Sequence, residues 1–142
     1  MLEQDYIVRL LVEFIAAILR SLKRAKGERD LSGAAQILED SITSATDMNG
    51  VALLSLAPES LAQVLQVSNT DPRVVVYIAN SLALEAKYKR ELGEDEIAKL
   101  RASQAEALAK AYGIELSDEL AGEINEISDD ALEKSLEEIA NK

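Results

Sequence analysis

The chain has 142 residues, 48% hydrophobic and 29% charged, which is the length of one domain with enough apolar material for a real core. It contains no Cys and no His, so disulfides, thiolate chemistry and zinc–thiolate sites are excluded and the usual general base near neutral pH is missing. A formal net charge of −11 repels phosphate backbones and anionic lipid surfaces, so neither nucleic acid nor membrane is expected as a main partner.

Six Gly and two Pro leave little turn material, and the abundance of Ala, Leu, Glu, Lys and Gln is that of a helical protein. The first element is the stretch Tyr6 to Leu19, apolar nearly all round, with Arg9 and Glu13 one turn apart as its only charges. Such a helix must be enclosed by other helices, by a second copy of the chain or by lipid. A run of 14 residues interrupted by two charges is too short for a span, which needs roughly 18 to 20 nearly uncharged residues. A secretory signal places its positive charge before the apolar run. Here Glu3 and Asp5 precede it, and Arg20, Lys23, Arg24 and Lys26 follow. The expectation is a core helix in a cytoplasmic protein. The basic patch Arg20, Lys23, Arg24 reads as dipole complementation at a helix end, or as a site for an anion or acidic partner.

Gly27 stops this helix and Asp30 is placed to cap the next, in which Leu31, Ala34, Ala35, Leu38, Ile42 and Ala45 share one face. So short a connection makes the pair an antiparallel hairpin. After Asp47-Met48-Asn49-Gly50, a short helical piece over Val51 to Leu56 precedes a helix opened by Pro58 and carrying Leu61, Val64 and Leu65. Asp71-Pro72, a cap followed by proline at the first helical position, starts a helix to Leu92. Val74 to Ile78 has strand propensity, but the apolar pattern continues at helical spacing through Ala79, Leu82 and Ala86. Glu94-Asp95-Glu96 opens the next helix, which runs to Tyr112-Gly113. Ser117 caps a last helical region bearing Leu120, Ile124, Ile127, Ala131, Leu136 and Ile139, which reads as one helix or as two broken at Ser128-Asp129-Asp130.

The acidity is concentrated at the end, where residues 115–142 carry ten acidic and two basic side chains. The organisation expected is a helical domain over 1–116 and an acidic helical extension over 117–142 packed on it. That extension caps the open end of the helical stack, binds a basic partner, or docks in cis on Arg20, Lys23 and Arg24.

Two segments share a turn-and-helix pattern, Gly27 to Ile42 and Gly93 to Ala105, with Ala34 and Ala98 separated by 64 positions, close to two periods of about 34 residues. Small residues where two helices cross, with larger apolar residues a turn further on, resemble tetratricopeptide packing, although Trp is absent and no Pro ends the repeat. Asp5-Tyr6-Ile7-Val8-Arg9, the Leu31–Ile42 helix, Leu53 to Leu61 and the helices either side of Gly93 resemble a family of small uncharacterised bacterial proteins with tetratricopeptide-like helices. The likeness covers roughly residues 4 to 112 and departs from the family at Ala57, where a capping Ser is usual. It implies an all-α fold of antiparallel hairpins stacked in a tetratricopeptide-like right-handed array, about six to eight helices including short ones. It implies no activity.

Carboxylates are dense at Glu94-Asp95-Glu96 and at Asp129-Asp130-Glu133, but a di-iron bundle needs Glu-x-x-His motifs and a calcium loop needs spaced Asp residues before Gly. Helix N-terminal acids facing water explain both groups, and no metal or cofactor is expected. No phosphate loop, nucleophile elbow or dinucleotide fingerprint occurs, so an enzyme is not expected.

The best binding candidate is the second side of the helix from Pro72 to Leu92. At 100° per residue Arg73, Tyr77, Asn80, Leu84 and Lys87 share it, and Tyr88 lies about 20° from Tyr77. In stacked helical repeats such a side lines a groove where amide and cationic side chains hold extended peptides. The competing reading is packing of both tyrosines against a neighbouring helix. The expected function is a protein- or peptide-binding adaptor. The alternative is a structural homo-oligomer, such as a homodimer, joined through apolar helix faces, and the third is an enzyme using carboxylate and Lys/Tyr chemistry.

Overall fold

The computed structural model describes residues 2–116, and the expected capping or docking role of 117–142 lies outside these residues. Within them the chain is all-α, with six helices and no strand: α1 (Leu2–Lys26), α2 (Leu31–Thr46), α3 (Gly50–Leu54), α4 (Pro58–Val67), α5 (Pro72–Glu91) and α6 (Asp95–Tyr112).

The boundaries follow local chemistry. Asp30 caps α2 by accepting the Gly33 N–H at 2.9 Å, and Arg24 from the end of α1 donates to the same carboxylate at 2.9 Å. These bonds, the Gly33 N–H foremost, hold the Asp30 carboxyl below the ordinary aspartate range and close the α1–α2 turn. Asp71 caps α5 likewise, accepting the Arg73 N–H at 2.8 Å ahead of Pro72 in the first turn. Ala57 offers no side-chain cap to α4, so Pro58, whose missing N–H is no loss there, sets its start. Gly113 ends α6 in the left-handed region with φ 66°, a conformation glycine adopts without penalty. The Val-rich start of α5 is helical, because its 3.6-residue stripe is buried whole.

α1 and α2 pack on each other across a short turn closed by Arg24 and Asp30, so the two helices run antiparallel. α5 and α6 form the second antiparallel pair, tied near its turn by Lys89 and Glu94 at 3.2 Å. α5 also packs on α1 and α2, and α6 on α4, so α5 is the most enclosed element. Leu38, Ile42, Leu61, Leu65, Ile78, Leu82 and Leu108 are all fully buried in one continuous core drawn from all six helices. Each such side chain contributes roughly 1.5–3 kcal/mol.

The apolar first helix is enclosed only in part. Phe14, Ala17, Ile18, Leu19 and Leu22 are buried. Leu11, Val12 and Ile15 are half-buried, and Tyr6 and Val8 are 54% and 41% exposed. No helix among the described residues is long and apolar enough to cross a membrane.

Candidate functional site

The second side of α5 does not form one open surface. Tyr77 is half-buried and stacks on Phe14 of α1, with ring centroids 6.2 Å apart and planes at 25°, within the range where aromatic pairs attract. Tyr88 is buried, and its hydroxyl shares a hydrogen bond of 2.9 Å with Ser21 of α1. Phe14 meets Tyr77 and Ser21 meets Tyr88, so α1 and α5 run parallel and these tyrosines rivet them together. Tyr88 is therefore an interhelical contact instead of a groove residue. Burial raises its phenol above the ordinary tyrosine range, as expected for a hydroxyl removed from water. Asn80 is half-buried and donates Nδ2–H to the Val76 carbonyl at 2.8 Å, one turn back on its own helix. Leu84 is half-buried, Lys87 is exposed, and Arg73 is exposed and held by its Nη2 to Asp71 at 3.0 Å. The Arg73, Asn80, Leu84 and Lys87 side chains thus flank the α1–α5 seam.

In the basic patch Arg20, Lys23 and Arg24 are all exposed. Arg24 is committed to Glu28 at 3.1 Å and to Asp30 at 2.9 Å, which raises its guanidinium further above its ordinary value. Its place is the α1–α2 turn.

The densest polar chemistry lies elsewhere, where α2, α3, α5 and α6 meet. α3 is five residues long, so its carbonyls have almost no intrahelical partners, and its last turn is buried at Leu53 and Leu54. A buried helix end of this kind requires donors from outside. α6 supplies them. Arg101 Nη1 donates to the Leu54 carbonyl at 2.7 Å, and Gln104 Nε2 donates to Leu54 and Leu56 carbonyls at 2.9 and 3.0 Å. Arg101 Nη1 also donates to Gln104 Oε1 at 3.0 Å, which fixes the amide orientation.

The charge of Arg101 is answered from α5. Its Nε donates to Glu85 Oε1 at 2.6 Å, and its Nη2 stands 3.8 Å from Glu39 of α2. Glu85 and Gln104 are fully buried, and Arg101 is 8% exposed. Burial pushes the Glu85 carboxyl up to about 7, against the opposing pull of Arg101. Among the described residues Glu85 Oε2 and, one turn earlier, Ser81 Oγ have no hydrogen-bond partner.

Through Arg101 this cluster reaches the floor of a cleft of about 520 Å³ between α2, α3 and α6, while Glu85 and Gln104 lie behind it. Its sides carry Glu39 and Asp40 from α2, Val51 and Leu54 from α3, and Ile97 and Leu100 from α6. Val51 is 85% exposed and Ile97 39% exposed, so two aliphatic side chains stand free at the rim. None of these residues belongs to the side of α5 identified from the sequence. Glu85 and Arg101 nevertheless left a trace there: Glu85 continues the run Val74, Ile78, Ser81, and Arg101 stands between Ala98 and Ala105 at core spacing. Charged residues at apolar-periodic positions announce a buried pair.

Chemically the cleft offers aliphatic contact and carboxylates. No group of three Asp or Glu side chains suited to a metal ion occurs among the described residues. Compared with family models, with curated proteins and with solved structures, the chain matches none.

Proposed function

We propose that this chain is a cytoplasmic adaptor of the helical-repeat kind, built from tetratricopeptide-like hairpins and kin to the small bacterial proteins its sequence resembles, and that it binds a protein or peptide. The observation that carries this reading is the open cleft between α2, α3 and α6, with Val51 and Ile97 exposed at its rim over a rigid, internally bonded floor. A rigid polar floor beneath an aliphatic rim suits recognition, since little ordering is required on binding. The test is affinity capture from the source cells followed by reconstitution with the purified partner. A protein that rebinds the purified chain at fixed stoichiometry in calorimetry is expected. Recovery of this chain alone, at any concentration, would defeat the reading.

A homo-oligomer is the second reading, favoured by exposed Val8 beside half-buried Leu11, Val12 and Ile15 on one face of α1. Contiguous apolar surface of this sort is how self-association begins. Light scattering from sub-micromolar to high micromolar concentration separates the two. Persistent dimers that Val8→Asp dissociates belong to the second reading only.

A further inference from the structure

The partner's chemistry can be narrowed, resting on the binding reading above. We infer that the cleft between α2, α3 and α6 takes a short peptide segment bearing adjacent aliphatic side chains flanked by Lys or Arg.

Val51 on α3 and Ile97 at the start of α6 face the same cleft, with Leu54 buried and Leu100 half-buried between them. A single exposed valine is ordinary, but two aliphatic rims over an aliphatic wall form a continuous site. About 520 Å³ lies within the range of small recognition sites and is room for a few side chains, too little for a folded domain to enter.

Arg101 points its donors away from the cleft opening. The guanidinium lies in the floor, but its Nε and Nη1 are spent on Glu85, Leu54 and Gln104. Its remaining Nη2 leans toward Glu39. The cleft therefore offers no strong cationic donor to an anion. Glu39 is half-buried and Asp40 exposed, both on the α2 wall, and Asp40 accepts the Gln36 amide at 2.9 Å. An incoming Lys or Arg meets the exposed Asp40 there, with Glu39 shared with Arg101 beside it, within a chain whose net charge of −11 draws cations from a distance. The same sign argues against the chain's own acidic residues 117–142 as the occupant, and against an acidic peptide.

The test pans a random dodecapeptide display library on the full chain, with counter-selection on the Val51→Asp/Ile97→Asp variant. Both positions are exposed, and the variant's melting curve checks that it stays folded. Recovered clones are expected to pair adjacent aliphatic residues with Lys or Arg. As synthetic peptides they should bind the double variant at least tenfold more weakly, and Asp40→Asn several-fold more weakly. Their affinity should fall with added salt, as screening of exposed charges requires. Clones that bind the double variant equally well, or that are acidic, overturn this inference while leaving the adaptor reading standing. Recovery of no clone at all overturns this inference, and the adaptor reading then rests on the capture experiment alone.

Discussion

Arg101 and Glu85, sixteen residues apart on α6 and α5, are joined by a 2.6 Å hydrogen bond in a place almost closed to water. The same guanidinium tethers the last carbonyl of α3, so one side chain links the second hairpin to the short helix between the hairpins. A buried ion pair is a weak source of net stability compared with an apolar replacement, yet breaking it from one side is costly.

Arg101→Met should therefore destabilise the protein by roughly 3–5 kcal/mol, because Glu85 is left buried without its partner and the Leu54 carbonyl loses a donor. Urea unfolding at pH 8 measures this. The Glu85→Gln/Arg101→Met double variant should recover part of the loss, since no uncompensated carboxylate remains. A double variant as unstable as the sum of the two singles would show that the residues do not act as a pair.

Stability should also fall as pH rises between about 4.5 and 7. Burial lifts the Glu85 carboxyl from 4.5 to about 7, with Arg101 and Lys89 opposing the rise and Glu39 adding to it. The folded state thus binds the proton more tightly than the unfolded chain. Its contribution is fully present below 4.5 and is lost as pH climbs through 7, amounting to as much as about 3 kcal/mol. Asp30 and Asp71, whose carboxyls are held low, act in the opposite sense and only in more acid solution. Urea midpoints at pH 5 and pH 8 should differ in wild type and nearly coincide in Glu85→Gln. An equal slope in that variant would assign the effect to another group.

The local signals were legible because they need no tertiary information. Asp30, Asp71-Pro72, Gly93 and Gly113 mark helix ends through caps, a fixed proline φ and left-handed turns, and each marks an end in the fold. The contacts of the two tyrosines with α1 were not legible in this way. Helical angle groups Tyr77 with Tyr88 but does not say whether α1 lies over them, and it does. Arg101 and Glu85 sit at apolar-periodic positions, which marks them for burial, but their pairing was not legible for a related reason. Each alone is a charge expected at the surface, and only their juxtaposition across two helices makes burial tolerable.

Ser81→Ala should leave the protein as stable or make it more so by about 1 kcal/mol. The Ser81 hydroxyl is fully buried and, among the described residues, has no hydrogen-bond partner, so its desolvation brings no return. Alanine also has the higher helix propensity. A clear loss on thermal melting would mean that the hydroxyl is satisfied, with Glu85 Oε2 the nearest candidate on the same face.

Tyr88→Phe removes one partner of the Ser21 hydrogen bond and should cost about 1–2 kcal/mol, the buried serine hydroxyl being left alone. Adding Ser21→Ala should return most of that loss, because both polar atoms are then gone and the contact becomes apolar. The coupling energy from the four urea curves is the readout. A value near zero would place the strength of the α1–α5 seam in the Phe14–Tyr77 stack instead.

Gly50 opens α3 against Thr43 of α2, and a Cβ there would collide with the Thr43 side chain, whose Oγ1 bonds the Glu39 carbonyl at 3.0 Å. Gly50→Ala should destabilise by about 1–3 kcal/mol, the usual cost of overpacking. Thr43→Ala clears the obstructing Oγ1 and Cγ2 atoms, so Gly50→Ala should cost far less in that background. Because Thr43 and Gly50 also line the α2–α3–α6 cleft, the single variant should tilt α3 and weaken the groove-dependent peptides as well, while the pair should restore them. Peptide binding restored without stability, or stability without binding, would separate the position of α3 from the shape of the cleft.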